Sequence, residues 1–411
     1  MSERAVTVPA YSEAAVIEAA VAREEPDWLL ARRTEAARAF DASPMPTTQL
    51  RPWKYTDVSD LILEAHLPAT PAISIESLAP QGVFVGSISE AAVNTDMTSN
   101  VREHLGSVVL ATEGRFQAAN TANWTEGIYV HVPRGMSSAE PVIATIDASA
   151  VSAGSAIYPR VLIDAGVGSE ITVVLRFQSS DAPLVVSNVI EMIADADSKI
   201  RVLIDDRWGT ETREFTTARS RIGRGADVDV ASLVIGGRII KQTVEALIEG
   251  EGANSTIRGV ALGDSDQHFD FVTLQDHIGP RSTSNVEIKS ALAGNSRSIY
   301  YGITRVEVSA KGSQANQANR NLLLSGGAKA DSDPVLEILT SDVIRCGHAA
   351  TVGPVDKEAL FYLQSRGLSR RAALQLLVTG FFQSVIEDIP GSGFAEEIEG
   401  FVIAKLADAE L

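Results

Sequence analysis

The 411-residue sequence predicts a mainly β fold: a coil of parallel strands flattened into a β-helix, with helical regions on both sides of it. Three observations predict it. Helical spacing fades at about residue 127 and returns after Gly353-Pro354. Between those points apolar steps recur at Ile171, Ile200, Val228, Ile257 and Val286, at intervals of 29, 28, 29 and 29, and the same phase runs on to Ala315 and Val343. A second strand falls inside each unit, at Val189–Ile193, Arg219–Ile222, Val244–Ile248, Phe271–Ile278, Ile303–Val308 and Val335–Leu339, with no helical pattern between the two. A fixed period of this size marks a solenoid. About seven coils, at ~4.8 Å per strand, would span roughly 30 Å. A β-sandwich is the alternative, since its turn signals look similar; the near-constant spacing favours the coil.

The flanking elements follow from capping and periodicity. Residues 12–24 read as a short acidic helix. Pro26-Asp27-Trp28 opens a second helix to about Phe40, with Trp28, Leu29, Ala36 and Phe40 on the apolar face and Arg32, Arg33, Glu35 and Arg38 on the wet one. Ser43-Pro44-Met45-Pro46 stops it. The run Trp53-Lys54-Tyr55-Thr56 reads as a packing anchor where a linker crosses a core, more than as a binding platform, because aromatic rings bury large areas. Prolines break residues 64–100 into short pieces. After the β region, Asp356 caps a helix over Lys357–Arg366 that buries Leu360, Phe361 and Leu363 and ends at Gly367. Ser369 caps the next, with Ala372, Leu376, Leu377, Phe381 and Val385 along one side. Pro390-Gly391-Ser392-Gly393 is a break, and Phe394–Leu406 is a third helix carrying Ile398, Phe401, Val402 and Leu406. The expected organisation is a helical N-terminal region (1–65), a mixed connecting region (66–126), the β-helix core (127–354) and a C-terminal helical domain (355–411). That last domain has more apolar surface than it can cover alone, so it packs on the β core or offers a face to a partner protein.

Composition narrows the function. Net charge is −18, with 53 acids against 35 bases, which argues against nucleic-acid or anionic-membrane binding. A single cysteine rules out an internal disulfide and fits a reducing compartment. No signal peptide opens the chain, and the apolar run Leu374–Phe382 is too short to span a bilayer, so a cytoplasmic protein is expected. There is no Walker-type phosphate loop, no G-x-S-x-G elbow, no H-E-x-x-H and no C-x-x-C. An enzyme is therefore not expected, nor a bound nucleotide. His268 and His277, with Asp264, Asp266, Asp270 and Asp276, form the densest acid and histidine cluster; their mixed parity reads as turns and solvated edges.

The stretch that carries chemistry is Ser341–Gly353, S-D-V-I-R-C-G-H-A-A-T-V-G. It holds the only cysteine, Cys346, and one of six histidines, His348. On a strand, residues i and i+2 share a face, so thiol and imidazole project side by side. Gly347 between them would let another backbone come close. Two donors of this type make an incomplete soft-metal site, where a closed one needs about four. The bland reading is a buried small thiol and a structural histidine. The pair lies on the last counted coil, where a β-helix leaves open strand edges that invite a second chain.

Three segments together resemble the SufB/SufD family of the bacterial Suf iron–sulfur assembly system: Pro26-x-Trp28 with its helix, Trp53-Lys54-Tyr55-Thr56, and Asn321–Gly367 with A-K-A-D-S-D-P-V-L-E-I, D-V-I-R-C-G-H-A-A-T-V-G and A-L-F-Y-L-Q-S-R-G. The resemblance covers essentially the whole chain. It implies a right-handed parallel β-helix core with helical N-terminal and C-terminal regions. It also implies pairing with a SufB scaffold subunit, or a homodimer in its absence, and a SufC ATPase bound through about 355–411. The cargo it implies is a transient iron–sulfur cluster shared with SufB. The family's functional histidine falls on His348, and Cys346 matches the motif cysteine. Two departures point to the SufD type: Asn319-Arg320-Asn321 stands where SufB carries a scaffold cysteine, and Ala349 follows His348 where SufB tends to have Glu. A SufB-like main scaffold and, from another class, a β-helix polysaccharide-active enzyme are the alternatives.

Overall fold

A computed structural model describes residues 10–387 and 394–408. Its centre is a parallel β-helix of two facing sheets. The first sheet orders the strands Ala72–Glu76, Val142–Asp147, Glu170–Gln178, Lys199–Arg207, Asp227–Val234, Asn254–Gly263, Thr283–Leu292, Ser313–Leu323 and Val343–Pro354. The second runs from Phe84–Ser87 through Gly127–Val132, Arg160–Ala165, Leu184–Ala194, Thr212–Ile222, Ile239–Ile248, His268–His277 and Arg297–Val306 to Lys329–Ile338. Every ladder from Val142 onward is parallel; only Ala72–Glu76 and Phe84–Ser87 pair antiparallel. Eight parallel strands in the first sheet make about eight coils, one more than the repeat count, because Val142–Asp147 starts the stack.

The repeat is real, but its length is not constant. Ile171 pairs with Ile200, and Ile200 with Val228, as the spacing predicts. Ile257 then pairs with Val230 instead of Val228, and Ala315 with Ser284 instead of Val286. Each slip is two residues, which keeps the same side chains facing inward. The last unit departs further: Ala315 pairs with Cys346, not Val343, and the register shifts next to Ser313. The added residues are taken up by the corner at Leu324–Ala328 and by an irregular start to the final strand.

Inward positions of the early first-sheet strands are mostly aliphatic and aromatic, while Asn188, Glu214, Thr216, Gln242 and Asp206 form a buried polar group within the coil. Ile171, Val173, Leu175 and Phe177 stack under Ile200, Val202 and Ile204, all fully buried. The outer faces are covered too. Helices Asp27–Ala42 and Arg115–Asn123, with the Arg51–Thr56 segment, cover Tyr129, Leu162, Val185, Ile193 and Phe215 on the second sheet, and helix Glu13–Ala22 packs on those two helices through Val16. Burial on both faces makes all eleven residues of Leu184–Ala194 buried and removes the usual alternation. Trp53 stacks on Phe116 (5.5 Å between ring centroids) and lies 5.9 Å from Phe215, so the run at 53–56 is a packing anchor.

Several side-chain expectations are corrected. Arg33 is on no wet face: it is fully buried, bonded to Glu25 (2.6 Å) and stacked over Trp124. A guanidinium can be buried where a carboxylate and a ring satisfy it. Asp270 and His277 are likewise buried rather than solvated, because Thr56 covers the outer face at Asp270 and His277 points into the core. His268 is bonded to Thr56 at 2.9 Å.

At the C-terminus, Asp356 caps Lys357–Ser365 as expected, accepting from the Glu358 and Ala359 N–H groups. That helix buries no residue, and Phe361 is 73% exposed. In helix Arg370–Ile386 the buried stripe is Leu374, Val378, Phe382, Val385 and Ile386, rotated from the expected one, and Leu376 is exposed. The helix is apolar on all sides, so periodicity could not select the face. The stripe packs on Leu203, Leu233, Val260, Leu262 and Ala291, the outer face of the first sheet. Helix Phe394–Asp408 adds Val402 and Leu406 there. Its Glu397 holds Arg176 and Arg207, and its Lys405 bonds Gln267 at 2.7 Å. The break at 390–393 and the Ile398 side chain lie outside the described residues.

Candidate functional site

Cys346 and His348 lie on Val343–Pro354, the edge strand that ends the first sheet. The parallel ladder puts Cys346 above Ala315 and His348 above Gln317. Ala315 and Gln317 are inward and buried, so thiol and imidazole continue the interior stack by one more rung. Among the described residues no further coil covers that rung. His348 is exposed and Cys346 half-buried, and Ile344 and Val352 on the same strand are exposed apolar side chains. The expected side-by-side pair is therefore present, at the open end of the β-helix. Lys329–Ile338 forms the matching edge of the second sheet.

The local chemistry is that of a partial ligand set. Burial raises the Cys346 thiol above its ordinary value, and a hydrogen bond with the Ala315 backbone partly opposes this. The thiol is protonated at neutral pH until a metal or another cation competes for it. Among the described residues no three His, Cys, Asp or Glu side chains converge as a metal cage. A Cβ on Gly347 would meet only Asn316 Oδ1, at 3.9 Å, so nothing within the chain requires glycine there.

The second edge is tethered from outside. Arg51 reaches both carboxylate oxygens of Asp333 at 2.8 Å, and Arg297 reaches Asp331 at 2.6 Å. From Arg51 the chain runs back across the sheet: Pro52 accepts from Lys241, Thr56 meets His268 and Asp270, and Asp60 pairs with Arg213. Lys241 completes this group by bonding Asp270 at 2.7 Å. With Arg297 stacked over Tyr55, this strap touches five consecutive strands of the second sheet.

Sequence reasoning missed the floor beneath the pair. The inward residues of Ser313–Leu323 include Gln317, Asn319 and Asn321, where the coil before carries Val286, Ile288 and Ser290. The signal was available: three amide side chains at alternating positions occupy the apolar phase of the repeat.

Comparison with known proteins identifies the family. Residues 146–381 match the family described as SUF system FeS cluster assembly, SufBD core domain. An iron–sulfur cluster assembly SufBD family protein of Mycobacterium leprae is 28% identical over 314 residues, 75% of this chain and 79% of that protein. A SufBD family protein of Staphylococcus epidermidis is 26% identical over 435 aligned residues, 95% of this chain and 90% of its own length. The iron–sulfur cluster assembly protein SufB of Bacillus subtilis is 28% identical over 321 residues, 77% of this chain and 67% of its own. With more than half of its length, and most of its β-helix, inside the family match, the chain belongs to the SufBD family of iron–sulfur cluster assembly proteins.

Proposed function

We propose that this chain is a non-catalytic, cytoplasmic, SufD-type subunit that pairs with a SufB-like sister chain across its open end. His348, with Cys346, lends donors at that seam to a nascent iron–sulfur cluster, the cargo of the assembly. The observation that carries this reading is a coincidence of place: the Cys346 and His348 pair lies on the last parallel strand of the first sheet, with no strand beyond it among the described residues. The sister chain would supply the remaining donors. A single thiol in 411 residues argues against this chain being the main scaffold.

The helical region from about 355 to 411 would dock a SufC-like ATPase. Phe361, Tyr362, Leu368 and Leu376 are exposed around helix Lys357–Ser365 and its junction with the next, a face large enough for a partner. Helix Lys357–Ser365 buries no residue, whereas the two helices after it rest on the first sheet, so movement would centre on Lys357–Ser365. ATP-driven movement there would reach the seam through Pro354, the last residue of the edge strand.

The test is co-expression with candidate SufB-like and SufC-like chains, anaerobic purification, and iron and sulfide analysis. His348→Ala is expected to leave the complex intact and to lose the cluster. Normal iron and sulfide in that variant would remove His348 from the function. A cluster held by this chain alone would favour the scaffold role instead.

A further inference from the structure

The floor under His348 is costly to build and serves no evident purpose in packing. Burying amides and hydroxyls where aliphatic groups would fit is unfavourable unless every group finds a partner. Here the partners are specific. Gln317 Nε2 donates to the Val335 carbonyl at 3.0 Å, across the interior on the opposite edge strand. Gln317 Oε1 accepts from the Tyr300 hydroxyl at 3.0 Å, and that hydroxyl lies 3.1 Å from Thr273 Oγ1. Both ends of the amide are thus fixed, and one of its two N–H hydrogens remains for the rung above. The meeting of Tyr300 and Gln317 needs Gly302: a Cβ there would lie 2.1 Å from the Tyr300 oxygen and 2.3 Å from Gln317 Oε1. Three residues from two strands therefore agree on one arrangement, and a larger residue at 302 would exclude it.

The consequence is geometric. Gln317 is the ladder neighbour of His348, and its amide ties that strand to the backbone of the other edge. The tie fixes the spacing of the two sheets one rung below the imidazole. Asn321 repeats the device four residues on, donating to Asn319 Oδ1 at 2.6 Å and reaching the Thr351 carbonyl of the edge strand at 3.5 Å. An aliphatic floor would leave the ring free to settle inward and the edges free to drift.

We propose that Gln317, held by Tyr300 over Gly302, is a positioning residue for His348: it fixes the orientation of the imidazole at the open edge before a partner or metal arrives. The proposal rests on the reading of His348 given above. Outer partners of metal-binding histidines fix tautomer and ring orientation, and their loss typically weakens a site about tenfold or more.

The experiment uses the full chain, alone and co-purified with its SufB-like and SufC-like partners. Tyr300→Phe removes one hydroxyl at constant volume; Gln317→Met removes the amide at similar length. In the isolated chain, the ring ¹⁵N shifts of His348, assigned by difference from His348→Ala, report tautomer and hydrogen bonding. Both variants are expected to shift those signals, with the melting temperature of Tyr300→Phe close to that of the parent. In the complex, both are expected to lower cluster iron about tenfold without loss of subunits. Unchanged His348 signals, or unchanged iron, in a folded variant overturns the positioning role. If Gln317→Met does not fold, Tyr300→Phe decides alone. If His348→Ala itself retains iron, the underlying reading fails; if only the floor variants retain it, the reading stands and this inference falls.

Discussion

The two ends of the β-helix are built on opposite principles. At the first coils, antiparallel strands Ala72–Glu76 and Phe84–Ser87 pair with both starting edges, and helices cover the second sheet. Arg160 and Glu191 are buried there as an ion pair at 2.6 Å, and Glu191 also accepts from the Gly106, Val108 and Val109 N–H groups. At the last coil, among the described residues, Val343–Pro354 and Lys329–Ile338 end their sheets without a further strand, over an interior that holds Gln317, Asn319 and Asn321. One end carries an antiparallel strand on each starting edge, and the other ends on the parallel strand that holds Cys346 and His348. Open strand edges are a hazard for a protein that acts alone and an asset for one that completes itself on a partner.

That contrast can be broken by measurement. The largest expected effect is in packing. Phe177→Ala, in the early core against Trp208, should cost about 3–5 kcal/mol by chemical denaturation, whereas Val352→Ala on the open edge should change the isolated chain by less than about 0.5 kcal/mol. Equal costs would mean that the last coil is packed like the first.

The next effect is acid sensitivity of the late interior. Burial lowers the His277 imidazole to about 4, between Ser282 and Ser284. The folded chain keeps it neutral while the unfolded chain takes up a proton below about 6.5. Stability should therefore fall as pH drops from there towards about 4, with the penalty complete below that. His268, lowered to about 4 chiefly by burial, adds to the slope. Replacing His277 by Gln should flatten the pH dependence of the denaturation midpoint; an unchanged slope would place the sensitivity elsewhere.

The closed end should respond with the opposite sign and more weakly. Burial lowers His104, but bonding to Asp164 outweighs this and leaves its pKa raised. Its contribution is fully present below the ordinary histidine value and is lost as pH rises through the raised one. His104→Asn should remove that loss, seen as a smaller fall in midpoint on the alkaline side of neutrality.

The smallest effect concerns the strap. Arg51 is half-exposed, so its pair with Asp333 is worth about 0–1 kcal/mol. Arg51→Ala should barely change global stability yet speed amide exchange in Lys329–Ile338. Unaltered exchange there would mean that the strap does not steady the open edge.

Much of this was legible in the residues because it follows from short-range rules. Side-chain parity on a strand put Cys346 and His348 on one face without knowledge of any contact, and the two-strand repeat of 28–29 residues could be counted. Caps were equally local: Asp356 and Ser369 hold the N–H groups that their spacing implies. Comparisons across the chain were not legible. Arg33 looked wet until Glu25 and Trp124 closed over it, and Asp270 looked solvated until Thr56 crossed the sheet. The apolar helix Arg370–Ile386 could have buried any face.

The sequence by itself determined the coil, its strand phase and the poverty of soft donors, since each depends on residue type and spacing alone. Only the tertiary structure decided which end stays open, which helix stands free and what lies beneath His348. Those depend on which surfaces meet between separate elements: Arg51 with Asp333, Lys405 with Gln267, and Gln317 with Tyr300 over a glycine that leaves them room.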